Sequence, residues 1–415
     1  MAARAVNPGG ALSIDIGGAA DKLPDCLTMG WQAGADVPFH PGEDFPFGDR
    51  AVGVIACGNF VHELDRATKF HFLLECRRTL QAAGRLGIAP RANAASAAGN
   101  DLPSLAAMAG LEPAPDGFTK RDRQVHGDPL VSILIPAYNP GFFAASFDSA
   151  LAQTYGNIDI LICDDSPGPE IEAIVRARAS RFPVRYERNP TRLRPRGNFT
   201  RCFERARGEF VKFLCDDDLL APTCVASLLD SFRHAPDIAL ATSRRRRIDE
   251  SGRALQDQPA TMPIVAEDTV IAGPTLANAM IMVGLNTIGE PSTVLFRKAD
   301  LLDQAPEYFR FDGEAGHGII DMVTWTALLL KGDAVYRNEA LSSFRIHPGQ
   351  RQRDPAKSQR NVDSIRGLQA AWLALKVHQR VPPDLLLTKP FPPLRGVDWR
   401  IQPVLGFAAR PVAAG

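Results

Sequence analysis

The sequence predicts an α/β protein in which residues 130–350 form a mostly parallel, Rossmann-like sheet with flanking helices, preceded by a small truncated α/β domain over residues 1–118. Three observations predict it. Short continuous apolar runs alternate with helical stretches through the middle of the chain. Acidic or small polar residues stop those runs at their carboxyl ends. A polar linker at 119–129 (TKRDRQVHGDP) separates this region from a first section rich in short apolar runs and Gly/Pro turns. A chain of 415 residues has room for two or three domains. The remainder, 351–415, reads as one helix (359–379) and a Pro-rich tail.

In chain order, LSIDIGG at 12–18 reads as a strand ending in a glycine turn. AVGVIA at 51–56 is a second strand, 70–80 an amphipathic helix, RLGIA at 85–89 a third strand, and 92–99 a small-residue stretch. In the middle region VSILI at 131–135, stopped by Pro136, is a strand buried on both faces. A helix over 142–153 follows, then the strand IDILIC at 158–163, which runs into Asp164 and Asp165. Next come a helix over 170–181, a strand at 184–186, a helix over 198–206, and the strand FVKFL at 210–214 before Asp216, Asp217 and Asp218. The four-arginine run at 244–247 reads as a charged edge strand.

Composition excludes several classes. Lys+Arg and Asp+Glu are both 47, so no net charge argues for nucleic acid as a partner. The 7 cysteines are scattered without a CxxC pair, which suits a reducing cytosol and neither a disulfide framework nor a zinc site. The apolar stretch 271–288 is broken by Gly273, Pro274, Asn278, Gly284 and Asn286, so no membrane span is expected. The first ten residues hold no apolar signal-peptide core. A cytoplasmic protein is expected, with room for peripheral association at the inner face of a membrane.

In open α/β sheets ligands sit beyond the carboxyl ends of the strands. Ala137, Tyr138 and Asn139, the pair Asp164 and Asp165, and Asp216 to Asp218 therefore converge on one crevice. Carboxylates crowded in this way repel unless a cation or hydrogen-bond donors neutralise them. Mg²⁺ favours one or two carboxylates together with phosphate oxygens. Either acidic cluster alone reads equally as a solvated loop or a helix cap, and Asp218 in particular as an N-cap.

At these residues the chain resembles the family 2 glycosyltransferases, which have the GT-A fold. VSILIPAYN at 131–139, including Pro136, Ala137, Tyr138 and Asn139, is similar to the family's opening strand and nucleotide-binding turn. LICDDS at 161–166 is similar to its second strand, whose later Asp, here Asp165, contacts the base. RGEFVKFLCDDD at 207–218 resembles the strand leading into the DXD-type motif. The resemblance implies Asp217 as metal ligand and Asp216 near the ribose or sharing the ion, with Cys215 where many relatives carry an Asp. IGEPSTVLFR at 288–297, with Glu290, resembles the acceptor-side segment. GIID at 318–321 with Trp325 resembles the "ED" motif, with Ile320 in place of the usual Glu and Asp321 at the catalytic base. SFRIHPGQ at 343–350 resembles a closing loop over the diphosphate, through Arg345 and His347. Arg194 or Arg196 could serve the same phosphates.

The resemblance implies an inverting, Mg²⁺- or Mn²⁺-assisted transfer from a nucleotide diphosphate sugar to a glycan or lipid-linked glycan. The first section resembles a shortened class I S-adenosylmethionine methyltransferase. Residues 44–47, 61–64 and 74–86 echo that family's middle motifs. Its cofactor loop, however, is incomplete at 15–20, and Ala83 stands where a Gly is usual. A structural or docking role is expected there, and S-adenosylmethionine binding is not. The rival functions are a bifunctional glycosyltransferase and methyltransferase, and a non-catalytic sugar-nucleotide- or glycan-binding protein.

Overall fold

The computed structural model describes residues 12–16, 27–30, 37–38, 40, 43–89, 101–350, 355–379, 382–393 and 397–405. The expected turn at 17–20 and the small-residue stretch at 92–99 lie outside them. The chain divides into two compact units, Met1–Arg123 with Ala374–Val377, and Gln124–Leu373 with His378–Gly415.

The first unit is a seven-stranded sheet. Its elements are β1 (Leu12–Ile16), β2 (Leu27–Gly30), β3 (Val37–Pro38), β4 (Val52–Cys57), α1 (Arg66–Thr79), β5 (Leu80–Ile88), α2 (Leu102–Met108), β6 (Leu111–Ala114) and β7 (Gly117–Lys120). The order is β3-β2-β1-β4-β5-β7-β6; the ladders from β3 to β5 are parallel and those of β7 antiparallel. Helix α1 starts four residues earlier than its apolar pattern implies, because the Asp65 carboxylate caps it by accepting from the Ala67 and Thr68 amides. Strand order reverses between β1 and β4, with Asp15 and Cys57 both buried near the carboxyl ends.

The second unit begins β8 (Val131–Ala137), α3 (Pro140–Leu151), β9 (Ile158–Asp164), α4 (Glu170–Arg176), β10 (Val184–Arg188), α5 (Arg194–Arg205), β11 (Phe210–Phe213), β12 (Leu219–Leu220) and α6 (Cys224–His234). It continues β13 (Ile238–Ile248), β14 (Ala254–Leu255), β15 (Thr269–Ile271), α7 (Gly273–Val283), β16 (Leu295–Arg297), α8 (Ile320–Lys331), β17 (Asp333–Arg345), α9 (Pro355–Ala374), β18 (Leu385–Pro390) and β19 (Arg400–Pro403). The sheet order is β10-β9-β8-β11-β16-β13-β17-β15-β18-β19, with β12 on β17 and β14 on β13. The first four strands are parallel, as expected; from β16 onward the sheet is mixed. Strands β8 and β9 are buried at every position. Ile133, Ile135, Ile160 and Ile162 pack with Phe143 and Phe147 of α3 and Leu228 and Phe232 of α6 in one cluster. Alternation along the strands sends Phe213 and Phe296 to the opposite face, against Phe199, Phe203 and Phe309.

Two expectations change. The strand that carries the arginine run is not at the edge of the sheet: β13 lies between β17 and β16, although Arg244 to Arg246 pair only with β17, since β16 meets Leu240 and Ala241 and β14 meets Arg247 and Ile248. The run's charges are met by residues further along the chain. Arg244 pairs with Asp257, Arg247 donates to Gln256 O, and Arg245 is buried. The Pro-rich tail contains β18 and β19, which extend the sheet from β15. Among the described residues no helix is long and apolar enough to cross a membrane.

Candidate active site

The crevice is built at the carboxyl ends of β8, β9 and β11. Pro136 and Ala137 end β8, and Tyr138 and Asn139 follow as the turn into α3. The Asn139 side chain caps that helix by accepting from Gly141 N at 3.0 Å. The turn's own amides face the acidic cluster: Tyr138 N and Asn139 N both donate to Asp216 Oδ2 at 2.6 Å. Asp216 thus occupies the positive end of a helix. Burial and the neighbouring Asp217 charge push its carboxyl up to about 6.

Asp217 faces the loop after β17. His347 Nε2 lies 3.1 Å from Asp217 Oδ2, and Arg345 Nε donates to Asp217 O at 2.8 Å. The Arg345 guanidinium also reaches Asp249 O and Glu250 O and lies over the Phe142 ring, so it braces the loop from a buried position. Asp218 does not cap a helix, since α6 starts only at Cys224. It is buried, accepting from Ser292 Oγ at 2.6 Å and Arg345 N at 3.1 Å. Burial first, then the Asp217 charge, hold its carboxyl well above the usual range. Ligand-capable atoms of Cys215, Asp217 and Asp218 lie within 4.8 Å of one another. The two carboxylates of that group offer the oxygen ligands a hard divalent cation takes; Asp216 is directed away from it, to the amides.

Asp165 is held by three donors. Asn189 Nδ2 reaches Oδ1 at 2.9 Å, Leu193 N reaches Oδ1 at 2.7 Å and Arg194 N reaches Oδ2 at 2.9 Å. It therefore anchors the amino end of α5, with Arg194 at φ 63°. Asn198 joins this point to the β8 turn by donating to Cys163 O and Ala137 O. Arg192 lies 4.4 Å over the ring of Tyr138, which is 37% exposed. Arg196 points elsewhere: its guanidinium donates to Tyr308 O, Phe309 O and Ala315 O.

On the far side of Asp218, Ser292 lies in the short turn Pro291–Thr293, directly after Glu290. Glu290 pairs with the buried Arg245, with Nε to Oε2 at 2.7 Å. The Glu290 charge bears on both Asp218 and Asp321. Asp321, in the first turn of α8, accepts from Asn286 Nδ2 at 2.7 Å and from Met322 N at 2.8 Å. Burial, with Glu290 adding to it, pushes its carboxyl up to about 6. Trp325 is buried and donates its indole N–H to Gly289 O at 2.9 Å, supporting the Glu290 turn from behind. A continuous series of contacts thus runs from Asp165 through Ala137 to Asn139, Asp216 to Asp218 and Ser292 to Glu290 and Asp321. Sequence reading missed Arg245, Asn286, Asn198 and Ser292. The arginine run and the PS after Glu290 were visible, but their partners are distant in the chain.

The strand ends of this open α/β sheet thus gather a helix-capping turn, an acidic cluster and a separate buried carboxyl. The glycosyl transferase family 2 model matches residues 132–299. The uncharacterized protein MT1568 of Mycobacterium tuberculosis is 30% identical over 233 residues, covering 52% of this chain and 67% of that protein. The uncharacterized glycosyltransferase RP339 of Rickettsia prowazekii is 26% identical, covering 54% of this chain and 65% of that protein. Chondroitin synthase of Escherichia coli is 31% identical over 131 residues, covering 31% of this chain and 19% of that protein. The chain thus spans less than two thirds of the last two. S. aureus TarS 1-349 in complex with UDP-GlcNAc matches with a TM-score of 0.44 and 15% identity, over 60% of this chain and 72% of that one. The chain belongs to glycosyl transferase family 2.

Proposed function

We propose that residues 130–350 move a sugar from a nucleotide diphosphate sugar to a hydroxyl of a glycan or lipid-linked glycan, with inversion, in surface-glycan synthesis. The observation that carries this reading is the series of contacts binding the nucleotide-side turn to the acidic cluster and the acidic cluster to the turn beside Asp321. Pro136, Ala137, Tyr138, Asn139 and Asp165 form the donor side, with Asp216 ordering the turn by accepting its two amides. Asp217, with Cys215 and Asp218 beside it, would hold Mg²⁺ or Mn²⁺. Such an ion offsets the negative charge that grows on a departing nucleoside diphosphate.

Asp321 takes the proton of the acceptor hydroxyl, which is a weak nucleophile until it does so. One base opposite one leaving group implies a single displacement and hence inversion. Glu290 stands on the acceptor side and Trp325 holds its turn. His347 and Arg345 keep Asp217 in place at the diphosphate end. Arg196 shapes the donor side through the 308–315 loop that it grips. Residues 1–118 serve a structural or docking role, a reading supported by the incomplete cofactor loop of the sequence at 15–20.

A panel of nucleotide diphosphate sugars, with and without Mn²⁺ or Mg²⁺, tests the reading by thermal stabilisation and turnover. Asp217→Ala should lose metal-dependent stabilisation. Asp321→Asn should keep it while turnover falls by about 10²–10⁴-fold, the usual contribution of a positioned base. Undiminished turnover in Asp321→Asn removes the base. No stabilisation by any member of the panel leaves a protein that binds glycan without transferring it.

A further inference from the structure

Asn286 lies in the turn between α7 and Pro291–Thr293, outside any helix or strand. Its single amide makes three hydrogen bonds. Nδ2 donates to Asp321 Oδ2 at 2.7 Å and to Gly289 O at 2.9 Å, and Oδ1 accepts from Gly289 N at 2.9 Å. Gly289 O also accepts from Trp325 Nε1. Asp321 and Trp325 are four residues apart and share one face of α8, so one helix face holds the turn at two points.

The turn is rigid for further reasons. Gly289 stands at φ 127°, and a Cβ there would meet Thr293 Oγ1 at 2.6 Å. Beneath it, the buried Arg245 donates to Asn286 O at 3.0 Å and Thr287 O at 3.3 Å, and pairs with Glu290. The amide of Asn286 is therefore aimed by its own surroundings.

We infer that Asn286 is the positioning residue of the general base: it fixes the orientation of the Asp321 carboxylate and favours its ionised form, linking the base to the acceptor-side turn. The inference rests on the reading of Asp321 as base. An ionised carboxylate only accepts hydrogen bonds and offers about four lone-pair sites. Asn286 and Met322 N engage one oxygen each, which leaves sites on both oxygens for an incoming hydroxyl. Glu290 is the charged group set against Asp321, with Arg245 behind it. Helix α7, packed on α8, carries no titratable side chain.

The test is a carboxyl ¹³C titration of the full chain, with the Asp321 signal assigned by its loss in Asp321→Asn. In Asn286→Leu the midpoint should rise by about one pH unit, equal to about tenfold less ionised carboxylate at a fixed pH below it. Asn286→His, which keeps an N–H donor, should restore part of the shift; it also serves if the Leu variant does not fold. With whichever donor stabilises the wild type, kcat of Asn286→Leu should fall at pH 6 and recover as pH is raised, with KM for donor unchanged. An unmoved midpoint in a folded variant overturns the inference, as does a loss of kcat that no pH restores. A midpoint that moves while the rate profile stays in place keeps the Asn286–Asp321 pair and removes Asp321 as the base.

Discussion

At the scale of single residues, Asp216 and Asp321 set the response of the site to acid. Both carboxyls stand at about 6 because burial disfavours their charged forms. If Asp321 is the proposed base, its protonated form cannot accept the hydroxyl proton, so kcat/KM should fall by about tenfold per pH unit below 6 and level off above it. If Asp216 must also be charged, the fall steepens toward about a hundredfold per unit, since two independent ionisations multiply. A pH–rate profile rising toward low pH would contradict both assignments. The sign for stability is the reverse. The folded chain holds these protons more firmly than the unfolded chain, so each group's contribution is full below the ordinary carboxylate range and is lost as pH rises through 6. A second residue-scale effect lies in the first unit, where Ala83 sits at φ 57° within β5. A left-handed L-residue costs roughly 1–2 kcal/mol, partly offset by the greater freedom glycine has when unfolded. Ala83→Gly should therefore stabilise that unit by about 0.5–1 kcal/mol in denaturant unfolding, and a loss of stability would count against the strain.

Between elements, the start of α7 approaches the end of α8 closely. A Cβ on Gly273 would lie 2.1 Å from both Gly332 O and Leu329 O, backbone atoms with no room to turn aside. Gly273→Ala should destabilise the second unit by about 1–3 kcal/mol through overpacking, and it should disturb Asp321 as well, because that proposed base lies on α8. Retained melting temperature and retained turnover in Gly273→Ala would show that the helices can part without cost. The same elements show what the chain discloses before it folds. Strands β8, β9 and β11 are legible because both of their faces are buried and they read as mainly apolar runs, broken inside only by Ser132, Asp159 and Lys212. Strand β13 is not, because RRRR hides a strand whose arginines find carbonyls and carboxylates contributed by segments far along the chain. Strands β18 and β19 are hidden by prolines and a polar exposed face at the sheet's edge. In the site, the acidic cluster is visible as a group, but its division is not. Which Asp meets amides, which meets His347 and which is buried under Ser292 depends on atoms separated by some 70 to 130 positions in sequence.

For the whole molecule, each of the two units has its own sheet and buried core, with Phe70, Phe72 and Leu73 in the first and the Ile133–Phe232 cluster in the second. Separate cores predict separate cooperative transitions. Calorimetry of the full chain should resolve two, and the substitutions above should sort between them, Ala83→Gly raising one and Gly273→Ala lowering the other. A nucleotide diphosphate sugar with Mn²⁺ should move only the transition that Gly273→Ala moves. At a ligand concentration near 100 Kd the gain is about 2.7 kcal/mol, which for a unit of this size is roughly 4–5 °C. S-adenosylmethionine should move neither transition if the first unit is a structural or docking domain. A rise confined to the Ala83→Gly transition would instead make the chain bifunctional. A single transition shifted by both substitutions would mean that the two cores unfold as one, and the donor's effect could then no longer be assigned to either unit by melting alone.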